Sequence, residues 1–272
     1  MSDELVTIDM QDGVADVRLN RAEKYNALSP EMFQAIVDAG EQLATARELR
    51  AVVLSGNGKG FCAGLDMTSM AGLAEGGSGS GGGGLLARDE RPENFAQRPA
   101  MVWKRLPVPV IAALHGVVYG GGAQIALGAD IRIASPDVKL SVMEIKWGLI
   151  PDMSLSQTLR DLVPLDVAKE LTFTGRILSG AEAQALGLVT RVEEDPLAQA
   201  LALAQEIAGK SPDAIRAGKR LLETVWHADE RTGLELEASL QLSLIGQPNQ
   251  VEAVNANFEK RAPAFRDPEL DG

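Results

Sequence analysis

Val108-Pro109-Val110-Ile111-Ala112-Ala113-Leu114 runs without a break into His115-Gly116-Val117-Val118-Tyr119-Gly120-Gly121-Gly122-Ala123-Gln124. The apolar run reads as a short buried strand. The glycines behind it let the backbone turn sharply and approach a ligand closely. A helix then reads from Gly121 to Ala129, so its unpaired N–H groups and positive dipole end face the turn. The same design stands upstream. There the strand Ala51–Leu54 leads into Gly56-Asn57-Gly58-Lys59-Gly60-Phe61-Cys62-Ala63-Gly64-Leu65-Asp66. Either turn alone is an ordinary tight connection. Facing each other, the two would aim a pair of N–H donors at one oxygen, which is an oxyanion hole. A phosphate loop fits less well, because Gly58-Lys59 is followed by Gly60 rather than Ser or Thr and no helix starts there.

Outward from these turns, Val6–Ile8 and Val14–Leu19 read as strands joined at Asp12-Gly13, and Asp130–Ala134 as another. Ser29-Pro30-Glu31 opens a helix: a cap, a proline suited to the first position, and an acid at the positive end. Met32, Ile36, Val37, Gly40 and Leu43 continue it at helical spacing. Strands alternating with helices predict an α/β layered core over residues 1–195. From Pro196 the strands stop. Helical patterns follow over Leu197–Gly209, Pro212–His227, Glu230–Ile245 and Asn249–Ala262, so residues 196–272 read as a helical region for oligomerisation and completion of the site. Gly72–Gly84 is of low complexity and reads either as a lid or as a surface insertion.

The bulk numbers exclude several classes. With 272 residues the chain can bury a large core, and its single cysteine, Cys62, rules out an internal disulfide. A net charge of -12 is the wrong sign for nucleic acid or an anionic membrane surface. No apolar stretch is long enough to span a membrane, and the acidic start lacks a signal core, so the expectation is a cytoplasmic protein. His115 and His227 lack metal-ligand spacing and read as structural, and no metal site is expected. Cys62 has no histidine partner in sequence and reads as a small buried residue.

Four ordered blocks resemble the crotonase (enoyl-CoA hydratase/isomerase) superfamily. They are Asn20-Arg21-Ala22-Glu23-Lys24-Tyr25-Asn26-Ala27-Leu28, Gly60–Asp66, Pro109–Gly122 and Met143-Glu144-Ile145-Lys146-Trp147-Gly148-Leu149-Ile150-Pro151-Asp152. The resemblance implies a spiral of repeated strand–strand–helix units with a helical C-terminal trimerisation region, assembled as a homotrimer or a dimer of trimers. It implies coenzyme A thioester substrates and no separate cofactor. Its oxyanion N–H groups fall on Leu65 and Gly121. Its coenzyme A contacts fall on Lys24, Ala27 and the backbone around Ala63, Asp66 and Met67, with Lys260 and Arg261 reaching from a neighbouring subunit.

The reaction is set by the acids above the hole. Family hydratases hold a water molecule between two glutamates, and here those positions are Gln124 and Glu144. Gln124 can hydrogen-bond but cannot take a proton at neutral pH. Asp152, eight residues past Glu144, resembles the placement of an acid in the dienoyl-CoA isomerase branch. The expected activity is double-bond isomerisation by Glu144 and Asp152 with Gln124 beside them. The alternatives are hydration by Glu144 alone and a non-catalytic acyl-CoA binder. For Asp152 a competing role is to cap a helix starting near Met153-Ser154.

Overall fold

The computed structural model describes residues 4–74, 84 and 86–268. β1 (Val6–Gln11) and β2 (Val14–Leu19) form a hairpin whose turn, Asp12-Gly13, takes positive φ at both residues. That backbone twist matches the flanking strands. α1 (Pro30–Ala44) begins where expected: Ser29 Oγ accepts the Met32 N–H at 3.3 Å, and Met32, Phe33, Ile36, Val37 and Leu43 are buried along one face. β3 (Ala51–Gly56) is buried at every position, as a central parallel strand must be. α2 (Met67–Ala74) follows the first turn, and α3 (Arg98–Lys104) precedes β4 (Val110–Leu114). The segment Gly72–Gly84, read as either a lid or a surface insertion, falls largely on residues 75–83, outside the described residues.

The repeat of strand, short strand and helix is plainest in the middle of the chain. β4 is followed by β5 (Val117–Tyr119) and α4 (Gly121–Leu127). β6 (Ile131–Ala134) is followed by β7 (Lys139–Ser141), a 3-10 turn over Glu144–Trp147, α5 (Leu155–Thr158), α6 (Leu165–Thr174) and α7 (Gly180–Leu186). β8 (Arg191–Val192) closes the main sheet, whose order is β1-β2-β3-β4-β6-β8, parallel from β2 onward. β5 and β7 pair separately, and a bridge from Cys62 to Val118 joins the first turn to that second layer. The two glycine turns are therefore neighbours in space.

α8 (Pro196–Ala208) departs from the boundary drawn from sequence. It packs on β2, β3, β4 and β6, where Ala200 and Ala204 meet Val53, Ile111 and Ile133 in a second core cluster. A parallel sheet needs apolar cover on both faces, and α8 supplies it. α9 (Pro212–Val225), α10 (Glu230–Leu244) and α11 (Pro248–Glu259) complete the chain. Lys219 ties α9 to the core through the Val108 carbonyl at 3.0 Å and Asp130 at 2.7 Å. α10 buries none of its residues, leaving Leu234 and Leu242 exposed. Among the described residues, no helix is long and apolar enough to cross a membrane.

Candidate active site

The first turn is held by one buried side chain. Asn26 Nδ2 donates to the carbonyls of Asn57, Gly60 and Phe61, each at 3.0 Å, while its Oδ1 accepts the Arg21 N–H at 2.8 Å. Tyr25 and Asn26 both take positive φ to bring that carboxamide inward. Ala63 N–H then bonds Tyr25 O, Asp66 N–H bonds Leu28 O, and Leu28 N–H bonds Gly64 O. Leu65, between them, donates its N–H to nothing among the described residues.

The second turn meets it at Gly64. This residue has φ of 84°, and a Cβ there would stand 2.7 Å from Tyr119 O and 3.5 Å from the Gly121 nitrogen. Only glycine allows both that conformation and that approach. The Gly121 N–H heads α4 and, among the described residues, also has no acceptor. Two unspent amides thus sit on adjoining segments.

Glu144 lies over the same spot. A Cβ on Gly120 would stand 3.4 Å from Glu144 Oε1. Gln124 is fully buried, its Oε1 accepting Met153 N–H at 2.8 Å and its Nε2 donating to Glu144 Oε1 at 2.6 Å. This fixes the rotamer of Glu144 and leaves Oε2 buried without a hydrogen-bond partner. Burial pushes the Glu144 carboxyl above the usual carboxylate range, and the nearby charge of Asp152 adds to the rise. Asp152 is itself raised by desolvation, although one side of it faces solvent. It does not cap α5: Ser154 holds that position, with a left-handed φ of 75°. For a residue other than glycine such backbone costs roughly 1 kcal/mol or more, and it persists here beside the carboxylates.

A family model described as enoyl-CoA hydratase/isomerase matches residues 9–268. The chain belongs to that family, within the crotonase superfamily, and is an enzyme acting on coenzyme A thioesters. Similar proteins include enoyl-CoA hydratase domain-containing protein 2 of Mus musculus, 33% identical across 93% of this chain and 84% of the relative. The probable enoyl-CoA hydratase echA8 of Mycobacterium bovis is 32% identical across 97% of this chain and 99% of its own. Among solved structures, enoyl-CoA hydratase from Bacillus anthracis superposes with a TM-score of 0.86 at 29% identity, covering 97% of this chain and 100% of that one.

Within this enoyl-CoA hydratase/isomerase frame the remaining residues divide. Leu65, Gly121, Gln124 and Glu144 come together, with Asp152 at the edge. Lys24 and Ala27 lie on the arm that Asn26 pins, next to Ala63 and Asp66. The Asp66 carboxylate is committed to Arg21 at 2.7 Å and Thr68 N–H at 2.9 Å, so its side chain holds the arm. Met67 is exposed at the start of α2. Lys260 and Arg261 stand at the end of α11, and no hydrogen bond or ion pair joins them to the turns among the described residues. The Arg261 guanidinium is engaged by Glu252 and Glu259 and pulls the Glu252 pKa down to about 2. His115 bridges the first turn through Gly58 O at 3.1 Å, and His227 pairs with Asp161 at 2.7 Å. Cys62 is buried, its thiol pushed up to about 12 by desolvation. Sequence reasoning passes over Asn26; its one signal is an asparagine, tolerant of positive φ, inside the first block.

Proposed function

We propose that the protein shifts the double bond of enoyl-CoA thioesters, with Glu144 as the proton carrier. The observation that carries this reading is the Glu144 carboxylate, whose Oε1 lies by Gly120 and is held by a glutamine that cannot itself ionise, and whose Oε2 has no hydrogen-bond partner. The thioester oxygen of a 3-enoyl-CoA would accept the N–H groups of Leu65 and Gly121. Glu144 takes a proton from C2, and the electron pair moves into the carbonyl to give a dienolate. The two amides bind that oxygen most strongly when it is charged. The proton returns at C4, from Glu144 or from Asp152, leaving the conjugated 2-enoyl-CoA. Their raised pKa values make both carboxyls stronger proton acceptors than ordinary carboxylates. The chemistry requires no group beyond the coenzyme A thioester.

Lys24 is an exposed cation on the arm that Asn26 pins, and Ala27, Ala63, Asp66 and Met67 offer backbone atoms to coenzyme A. Lys260 is the better candidate for a contribution across subunits, since Arg261 already holds two carboxylates. A homotrimer, or a pair of them, is supported by the uncovered apolar side chains of α9, α10 and α11, and its mass in solution tests it.

A second reading is hydration of 2-enoyl-CoA. The names of the relatives favour it, and Oε2 of Glu144 can accept from water. Against it, both ends of the Gln124 carboxamide are engaged, and the side chain facing Glu144 Oε1 is an amide rather than a carboxylate. Supplying 2-enoyl-, 3-enoyl- and 3,5-dienoyl-CoA to wild type, Glu144→Gln and Asp152→Asn separates them. Isomerisation should fall ~100- to 10,000-fold in Glu144→Gln. Rapid water addition that survives Asp152→Asn defeats the isomerase reading.

A further inference from the structure

Gly121 carries one of the two amides without an acceptor among the described residues, and its α-carbon is closely covered. A Cβ built there would stand 2.6 Å from Met153 Sδ, 3.4 Å from Met153 Cε and 2.8 Å from Leu28 Cδ1. Both side chains therefore already touch the glycine. In a helix the Cα–Cβ bonds lean toward the N-terminus, the end to which the N–H bonds also point. Gly121 is the first residue of α4, so Met153 and Leu28 sit at the end that its N–H faces. An oxygen accepting that N–H brings its carbon skeleton in beside them.

The two side chains come from opposite walls. Leu28 belongs to the arm pinned by Asn26: its N–H bonds Gly64 O, and it forms a bridge with Leu65. Met153 belongs to the wall of the carboxylates: its N–H bonds Gln124 Oε1 at 2.8 Å, and Gln124 holds Glu144. A thioester whose oxygen rests on Leu65 and Gly121 has its sulfur on the side of the arm that meets coenzyme A. Its C2 is then on the side of Glu144, which must reach a proton on that carbon. Met153 is the side chain beside the first acyl carbons.

Met153 has little room to retreat. The next residue, Ser154, is buried in a left-handed conformation, and its Oγ donates to the Gln97 carbonyl at 3.2 Å. The Ser154 carbonyl accepts the Gln157 N–H at 2.9 Å and the Thr158 hydroxyl at 3.3 Å. The backbone is thus anchored on both sides of the methionine, which is 6% exposed and packed in the main core. A thioether chain bends easily, but a dense interior offers it nowhere to bend to.

We propose that Met153 is a specificity-determining residue: its thioether fills the space that a branch on C2 would need, so the enzyme selects acyl groups that are unbranched next to the thioester. The inference rests on the acyl-CoA reading of the site and adds the shape of the acyl group.

The test is competitive binding of saturated, unreactive thioesters, compared as isomers so that apolar area is nearly equal within each pair. Butanoyl-CoA should bind ~10- to 100-fold more tightly than 2-methylpropanoyl-CoA. Heptanoyl-CoA and 5-methylhexanoyl-CoA, whose branch lies far from the carbonyl, should bind about equally. In Met153→Ala the first ratio should fall to near one, chiefly because the branched ligand binds more tightly, and the second should not move. Met153→Leu, of similar volume, should keep the preference, and Met153→Val should give an intermediate ratio. The wild-type ratio and Met153→Val carry the test if Met153→Ala does not fold. Equal binding of the first pair by wild type overturns the proposal, as does a ratio that truncation of Met153 leaves unmoved. If thioesters bind without regard to branching, this inference fails and the acyl-CoA reading stands. If no thioester binds at all, the acyl-CoA reading fails and takes this one with it.

Discussion

Gln124→Glu should convert the site toward water addition, and the size of the effect follows from one distance. Gln124 Nε2 lies 2.6 Å from Glu144 Oε1. In the variant an oxygen replaces that nitrogen, while the Met153 N–H can still hold the other oxygen in place. Two ionised carboxylates at that separation repel by ~6 kcal/mol at an effective dielectric constant of about 20. That biases the pair on the order of 10,000-fold toward keeping one shared proton at neutral pH. The pair then offers one acid and one base over the same carbon atoms, which is what two-carboxylate hydration requires. Hydration of crotonyl-CoA, followed by loss of the conjugated thioester chromophore, should rise ~100-fold or more. Its pH–rate profile should fall only well above neutrality, where the shared proton is lost. A variant that folds and binds crotonyl-CoA, yet shows neither gain nor altered profile, would refute the placement of Gln124 and Glu144 over the reacting carbons.

Three further outcomes follow from the same contacts. The Glu144 and Asp152 pKa values are both raised by desolvation, so the stabilising contribution of each carboxyl is present below its unfolded pKa and is lost as pH rises through its folded one. Glu144→Gln should therefore melt higher than wild type at about pH 8 and nearly level with it at about pH 4; a gap that narrows with rising pH contradicts this. Asn26→Ala strips three carbonyls and one N–H of their partner and should cost about 3 kcal/mol in urea unfolding, with a raised KM for thioesters because the turn bearing Leu65 loosens. An unchanged KM would make Asn26 purely structural. Lys219→Ala leaves Asp130 without its cation and should cost about 3 kcal/mol, with early proteolysis between α8 and α9; a loss below about 1 kcal/mol would show α9 held by other contacts.

What the sequence reveals and what it hides follow the range of the forces involved. β3 and β4 are legible because central parallel strands are apolar on both faces and need no tertiary partner to be seen. β5 and β7 are three residues each, too short for alternation to register. α8 carries a helical pattern that is plain in the sequence, but which face of the sheet it covers depends on Val53, Ile111 and Ile133, all far away in the chain. The same divide runs through the site. The glycine turns show themselves, because a backbone that must approach another closely can use little else. Charged residues mislead, because their partners are set by the fold. The Arg261 side chain reads as an open cation in the sequence, yet in the fold it is paired with Glu252 and Glu259. Gln124 is the sharpest instance. As a letter it is a missing acid, whereas in place it is the clamp that holds one oxygen of Glu144 and leaves the other without a hydrogen-bond partner.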